Sequence, residues 1–183
     1  MKKLIFLLMV LFGLSAYSQN SSLSLNGGYA FGKIEDSDAS ATGFRITGVY
    51  EMRAAGSKFA HGLSFGYMNL TGQTSNATGT TDWTIGTFPF LYAPKFFFGG
   101  KKMEGSLKGA AGWQFSNVKR EGSAGGIQKT ADGGFSLGAG AGGHYHINKN
   151  VFINLEYEFL WLGNSFYRDG FINTVSTGIG LQF

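Results

Sequence analysis

The sequence has 183 residues, which is about the length of a single domain. Charged residues make up only 14% of it, against roughly 25% in an average soluble domain, while aromatic residues reach 16%. This balance excludes an intrinsically disordered chain, and a net charge of +4 without a basic stripe does not indicate binding to nucleic acid.

The first residues have the pattern of a secretory signal peptide. Two lysines precede an apolar run over residues 4–14, which is too short to span a bilayer, and the small residues Ala16 and Ser18 follow two positions apart. We predict a signal peptide over residues 1–18 and a mature domain over residues 19–183. The sequence has no cysteine, which excludes disulfides and cysteine-ligated zinc from the mature protein.

Eight segments of the mature chain alternate large apolar residues with small or polar ones, which is the pattern of β-strands. In one of them, for example, Leu155 and Tyr157 alternate with Glu156 and Glu158. The eight predicted strands cover residues 22–32, 43–52, 61–69, 82–98, 105–115, 135–147, 151–161 and 171–183.

The predicted connections alternate between long and short. The long ones are rich in Ser, Thr, Gly, Asn, Asp and Lys, and they cover residues 33–42, 70–81, 116–134 and 162–170. The short ones cover residues 53–60, 99–104 and 148–150. This alternation is typical of an up-and-down barrel that has its long loops at one rim and its short turns at the other.

Alternation alone does not decide whether the apolar faces of the strands pack in a hydrophobic protein core or contact lipid, because a soluble barrel or sandwich shows the same pattern. Gly138, Gly140 and Gly142 follow one another on the polar face of one strand, and such small residues suit the crowded interior of a narrow barrel. Aromatic residues such as Tyr29 and Trp161 lie near strand ends, as in the girdles of membrane barrels. We therefore predict an all-β, eight-stranded antiparallel up-and-down transmembrane β-barrel with a lumen filled by side chains.

Five charged residues fall on the face of their strands that we assign to the lumen. They are Arg45, Glu51, Lys108, Glu156 and Glu158. An isolated charge in a barrel interior is costly, so these residues must pair with one another or hold water. We interpret them as a structural ion-pair network; the alternative is a catalytic pair of carboxylates.

The end of the last predicted strand, residues 174–183, finishes on Phe183 with Ile179 and Leu181 in phase, and a Phe-Pro-Phe segment surrounds Pro89. With the signal peptide and the eight strands, these features resemble the small outer membrane β-barrels of the OmpA/OmpX type, or porin family, of Gram-negative bacteria. The resemblance implies contact with outer membrane lipid and lipopolysaccharide, and it implies that Ile179, Leu181 and Phe183 are the signal read by the barrel assembly machinery. Because proline cannot donate to a ladder, we also expect a bulge at Pro89.

The resemblance implies no single activity. We expect a non-enzymatic barrel with no cofactor and with a structural or surface-interaction role through its extracellular loops, of which residues 116–134 are the longest candidate site for a surface ligand. One alternative is a lipid-A-modifying enzyme using His144 and His146, although these residues are predicted at the short-turn rim, away from the outer leaflet. Another is a narrow pore. The two histidines alone are too few ligands to predict a metal site.

Overall fold

The computed structural model describes residues 20–34, 39–76, 79–122, 126–164 and 166–183. The predicted signal peptide and its cleavage site lie outside the described residues. The strands are β1 (Asn20–Ile34), β2 (Ser40–Arg53), β3 (Phe59–Asn76), β4 (Gly79–Tyr92), β5 (Lys95–Gly99), β6 (Met103–Gly122), β7 (Ile127–His146), β8 (Val151–Leu162) and β9 (Tyr167–Gln182).

The strands form one closed antiparallel barrel with eight positions. β4 and β5 follow one another at a single position of the wall, where both pair with β3 and β6. The other strands pair with their neighbours in sequence, and β9 pairs with β1 to close the barrel. Ser21 and Phe183 exchange two backbone hydrogen bonds, of 3.0 and 2.8 Å, across the closing seam. Because closure leaves no unpaired sheet edge, the backbone can pass through lipid. The predicted eight-stranded antiparallel barrel is confirmed.

The expectation of a bulge at Pro89 is wrong. The β3–β4 pairing keeps one register on both sides of the proline, from Phe65 opposite Phe90 to Met68 opposite Thr87. The missing N–H of Pro89 therefore removes a hydrogen bond without adding a residue to the strand. The regular ladder is interrupted instead between β4 and β5, around Pro94. The register of the two strands against β6 is the same on both sides of this interruption.

The two rims of the barrel differ, but less than the sequence predicts. We call the rim with the connections at residues 54–58, 100–102 and 147–150 the turn end, and the opposite rim the hairpin end. Most of the loops predicted over residues 70–81 and 116–134 are strand, because β3, β4, β6 and β7 continue past the barrel wall as paired ribbons. Pairing between the two strands of each ribbon satisfies the backbone of these polar segments, and at the base of the ribbons Leu70 and Val118 still point into the lumen.

Side chains separate into an exposed apolar outer face and a buried inner face. Leu155 is 61% exposed and Phe65 is 54% exposed, although both lie in the middle of the wall. In the part of the chain that the structure describes, no helix is long and apolar enough to cross a bilayer. Rings that point outward near the hairpin end belong to Tyr29, Phe31, Phe44, Tyr67, Phe88, Phe115, Phe135, Trp161 and Phe171.

Candidate functional site: a charged layer in the barrel lumen

The structure places all five predicted lumen charges on the inner face and buries them. Arg45 and Glu51 lie on β2, Lys108 lies on β6, and Glu156 and Glu158 lie on β8. The two-residue period of a strand explains this placement, because charges at alternate positions share a face with one another. Strands that are not neighbours in the wall thereby bring their charges together across the lumen.

These residues and Lys95 form a continuous chain of alternating charges. Arg45 Nη1 lies 2.5 Å from Glu158 Oε2, and Lys108 Nζ lies 3.1 Å from Glu158 Oε1. Lys108 also pairs with Glu156. Lys95 Nζ completes the chain, 3.0 Å from Glu156 Oε2 and 2.7 Å from Glu51 Oε1.

Lys95 is the member of this layer that the sequence interpretation missed. It is 1% exposed and contacts two carboxylates. Without it, the predicted set had three carboxylates and two cations; with it, the charges balance. Its position was available from strand parity, since Phe96 and Phe98 point outward and the residue before Phe96 must then point inward.

Glycines on β7 provide the space that the charged layer occupies. Gly140 lies opposite Glu158 and Gly142 lies opposite Glu156 in the β7–β8 ladder. A Cβ atom at Gly140 would lie 2.8 Å from the carbonyl oxygen of Tyr157 and 3.5 Å from Cε of Lys108. A larger residue on this face would therefore collide with the wall or with the network.

A second polar group closes the lumen at the turn end. Glu104 lies 3.1 Å from Arg53 Nη1 and 3.2 Å from His146 Nε2, and the Arg53 guanidinium stacks 4.7 Å above the Phe97 ring. The space on the lumen side of these residues, toward Glu51 and His144, measures about 20 Å³, and a depression of about 500 Å³ lies on their other side, toward the turns. The smaller space has room for about one water molecule rather than for a solute.

The half of the lumen toward the hairpin end is filled by apolar side chains. They form one buried cluster: Ala30, Ile34, Ala41, Met68, Leu70, Ile85, Leu91, Ala110, Val118, Leu160, Leu162, Phe166, Tyr167 and Ile172. Next to this cluster, the Thr87 and Ser116 hydroxyls lie 2.9 Å apart and Ser116 donates to Gln114 Oε1 at 2.5 Å. The lumen therefore contains a charged layer and an apolar layer in series along the barrel axis.

The rings of His144 and His146 have different neighbours in the turn-end half of the lumen. The ring of His144 stacks on Phe152 with centroids 4.7 Å apart and meets the edge of Phe97 at 5.2 Å. The His146 imidazole is hydrogen-bonded through Nε2 to the Glu104 carboxylate, at 3.2 Å. Among the residues described, no serine hydroxyl is hydrogen-bonded to either imidazole, and no group of three potential metal ligands occurs.

The residues of the predicted assembly signal lie on the outer face of the closing strand. Ile179, Leu181 and Phe183 are 55%, 55% and 62% exposed. Leu181 lies between Leu23 of β1 and Val151 of β8. These side chains add to the apolar outer surface and contribute nothing to the lumen.

A closed barrel with an apolar outer face, aromatic rings near its rim and a packed interior defines an outer membrane β-barrel with transmembrane strands. The model of the outer membrane protein beta-barrel domain matches residues 4–183, and the chain belongs to that family. No curated protein matches the chain in sequence at a significant level.

Solved structures share the fold at low sequence identity. The barrel is similar to Neisserial surface protein A, with a TM-score of 0.62 at 14% identity over 90% of this chain and 97% of the other. It is also similar to Ail, the attachment invasion locus protein of Yersinia pestis, with a TM-score of 0.54 at 21% identity over 89% and 99%. The N-terminal barrel of Pseudomonas aeruginosa OprF gives 0.51 at 14% identity over 91% and 99%.

Proposed function

We propose that this protein is a closed, non-enzymatic outer membrane barrel that serves a structural or surface-interaction role through its hairpin end. In this proposal a signal peptide directs export and is removed, and the hairpin end faces the exterior. Outer membrane barrels have short turns on the periplasmic side and longer connections outside, which supports this orientation.

The observation that carries the proposal is the filling of the lumen. The chain of charges from Arg45 to Glu51 crosses the interior, and the apolar cluster occupies the half beyond it. An eight-stranded barrel is just wide enough for its own side chains, so these layers leave no room for a diffusing solute. A filled lumen therefore favours a scaffold that displays its rim over a transporter.

The hairpin end offers the surface that such a scaffold would display. The β6–β7 ribbon pairs as far as Glu121 and Ile127, well past the outward aromatic ring of Phe115. Its exposed residues include Lys129 and Thr130. A paired ribbon holds side chains in fixed positions at a lower entropic cost than a loop, which suits recognition of an extracellular ligand.

Conductance in planar bilayers tests the closed lumen. We expect the folded protein to insert without a steady, large open state, because ion passage would require the Lys108–Glu156–Lys95 contacts to separate. A water-filled porin recorded in the same apparatus is the control for insertion. A stable open level of porin size in most insertions would contradict the closed lumen and would favour the pore alternative.

A further inference from the structure

The turn end carries a depression that opens to water and is walled by two of the connections between strands. Its volume is about 500 Å³. We call it the turn-end cup; its lining includes Arg53, Lys102, Glu104, His146 and Lys149. Because the contacts among Arg53, Glu104 and His146 lie between the cup and the interior, the cup is separate from the charged layer in the lumen.

Hydrogen bonds hold the walls of the turn-end cup in place. The backbone carbonyl of Lys102 accepts from the N–H of His146 at 3.0 Å, which ties the β5–β6 connection to the end of β7. In the β7–β8 connection, Asn148 Oδ1 accepts from the N–H groups of Asn150 and Val151 at 2.8 and 2.9 Å. The walls are therefore ordered in advance, which lowers the entropic cost of binding a ligand.

Positive charge is in excess in the turn-end cup. Among the described residues that line it, four cations, Arg53, Lys101, Lys102 and Lys149, face the single carboxylate of Glu104. That carboxylate is already bonded to Arg53 at 3.1 Å. No carboxylate in the described ranges lies within ion-pair distance of any of the three lysines. A bound anion would offset the repulsion among their ammonium groups.

The groups that the turn-end cup offers to a ligand are mainly hydrogen-bond donors. Lysine ammonium groups donate and cannot accept. Asn148 Oδ1 is occupied by two backbone N–H groups, so its Nδ2 donor is the part left for a ligand. The ammonium group of Lys102 lies 5.6 Å from the Tyr145 ring, a contact that uses none of its acceptor partners. A ligand that only accepts, such as a carboxylate, complements this set.

The lysines on the two walls are too far apart for one small anion to pair with both without drawing their side chains together. Lys102 directly precedes β6 and Lys149 lies two residues before β8, so two strand spacings, roughly 10 Å, separate their backbones. In an extended peptide, residues three positions apart also lie roughly 10 Å apart. Two carboxylates at that spacing would each meet one lysine.

The floor of the turn-end cup belongs to the inner face of the barrel. The Arg53 guanidinium stacks on the ring of Phe97, which is buried in the lumen. A ligand therefore reaches the floor along the barrel axis, from the water. The acyl chains of a lipid lie against the outer face, so a lipid headgroup reaches the rim from outside the wall and does not fill the cup.

We propose that the turn-end cup binds an acidic peptide segment with two carboxylates three residues apart. One carboxylate pairs with Lys102 and the other with Lys149, and the chain between them passes beside the exposed side chain of Ile147. In the orientation proposed above, the segment belongs to a protein of the periplasm. The binding itself depends neither on that orientation nor on the closed lumen, because the cup lies on the water side of Glu104.

Fluorescence anisotropy of a dye-labelled peptide, acetyl-Glu-Gly-Gly-Glu-amide, measures this binding to the folded protein in non-ionic detergent at low ionic strength. Lys102→Gln and Lys149→Gln each remove one exposed ion pair, so each is expected to weaken binding about threefold, and the double variant about tenfold. Lys58→Gln removes an exposed lysine of the same rim, in the β2–β3 connection and outside the cup. It is the matched control and is expected to leave the affinity unchanged.

Further probes test the chemistry and the spacing of the ligand. The peptide with glutamine in place of both glutamates is not expected to bind. The peptide Glu-Glu-Gly-Gly, which has the same charge but adjacent carboxylates, is expected to bind severalfold more weakly. Neither inorganic phosphate at matched ionic strength nor phosphatidylglycerol at a few molecules per micelle is expected to displace the first peptide.

Heat-modifiable gel migration verifies that each variant is folded before binding is measured. Equal affinity for the two acidic peptides, binding of the glutamine peptide, or an equal loss in Lys58→Gln would each overturn the proposal. Displacement by phosphate would assign the cup to a free anion, and displacement by the lipid would assign its lysines to the membrane surface; either result would overturn the proposal as well.

Discussion

Lys95 makes two ion pairs with carboxylates from strands that do not neighbour its own. Glu51 comes from β2 and Glu156 comes from β8, while Lys95 lies on β5. A buried charge that loses its partner costs far more than an exposed one, because the remaining group cannot recover its hydration. The residue therefore connects three parts of the wall through the lumen.

Replacing Lys95 should be costly. Lys95→Met leaves the Glu51 carboxylate buried without its cation, and it should lower the free energy of unfolding by about 3–5 kcal/mol. Urea titration in lipid vesicles, followed by tryptophan fluorescence, measures the change. Lys101→Met, at an exposed position of the turn end, is the control and should change the stability by less than about 0.5 kcal/mol. Similar stability of the two variants would show that the charged layer is not coupled as described.

The individual lumen charges could be predicted because strand parity assigns each to a face. Which of them pair could not, because pairing across the lumen depends on how far neighbouring strands are shifted. Arg45 and Glu158, for example, are 113 residues apart in sequence and meet only after closure. Lys95 was missed although its parity was readable, because it follows Pro94 in a segment whose alternation was less regular.

The backbone and the side chain of Phe183 make separate contacts at the closing seam. The backbone bonds between Ser21 and Phe183 do not depend on the Phe183 ring, which is 62% exposed on the outer face. If the ring is part of an assembly signal, its loss should affect insertion in cells more than the folded state. If the ring is not part of such a signal, it contributes only to the apolar surface that contacts lipid.

Phe183→Ser tests that separation. We expect the amount of folded protein in the outer membrane of cells to fall severalfold, while refolding of purified protein into vesicles proceeds to the same yield. Heat-modifiable migration measures both quantities. Met103→Ser, which removes an exposed apolar side chain at the same end of the barrel, is the control. Equal losses in cells for the two variants would argue against a terminal signal.

Strand existence was easier to predict from the sequence than strand length. Alternation ends where the ribbons leave the lipid, because neither face of the ribbon needs to be apolar there, so residues 116–134 have the composition of a loop. The ladder nevertheless continues through Lys119 opposite Lys129. Backbone pairing, which has no sequence signature of its own, decides the structure in that region.

The barrel as a whole carries apolar side chains on two surfaces, the outer face and the lumen. Its outer face exposes rings and aliphatic chains, and its lumen buries an apolar cluster together with balanced charges. In water the outer face would be a large exposed apolar surface, whereas in a bilayer it is solvated by hydrocarbon. The medium that contacts the outward residues in the middle of the wall therefore decides whether the barrel is transmembrane.

Nitroxide accessibility measures that medium directly, and the absence of native cysteine allows single labels. Labels at Leu155→Cys and Phe65→Cys, in protein reconstituted in bilayers, should collide more with oxygen, which concentrates in hydrocarbon, than with a water-soluble nickel chelate. A label at Lys101→Cys, in a turn, should show the reverse. Preferential collision of the nickel chelate with labels at 155 and 65 would contradict a transmembrane barrel.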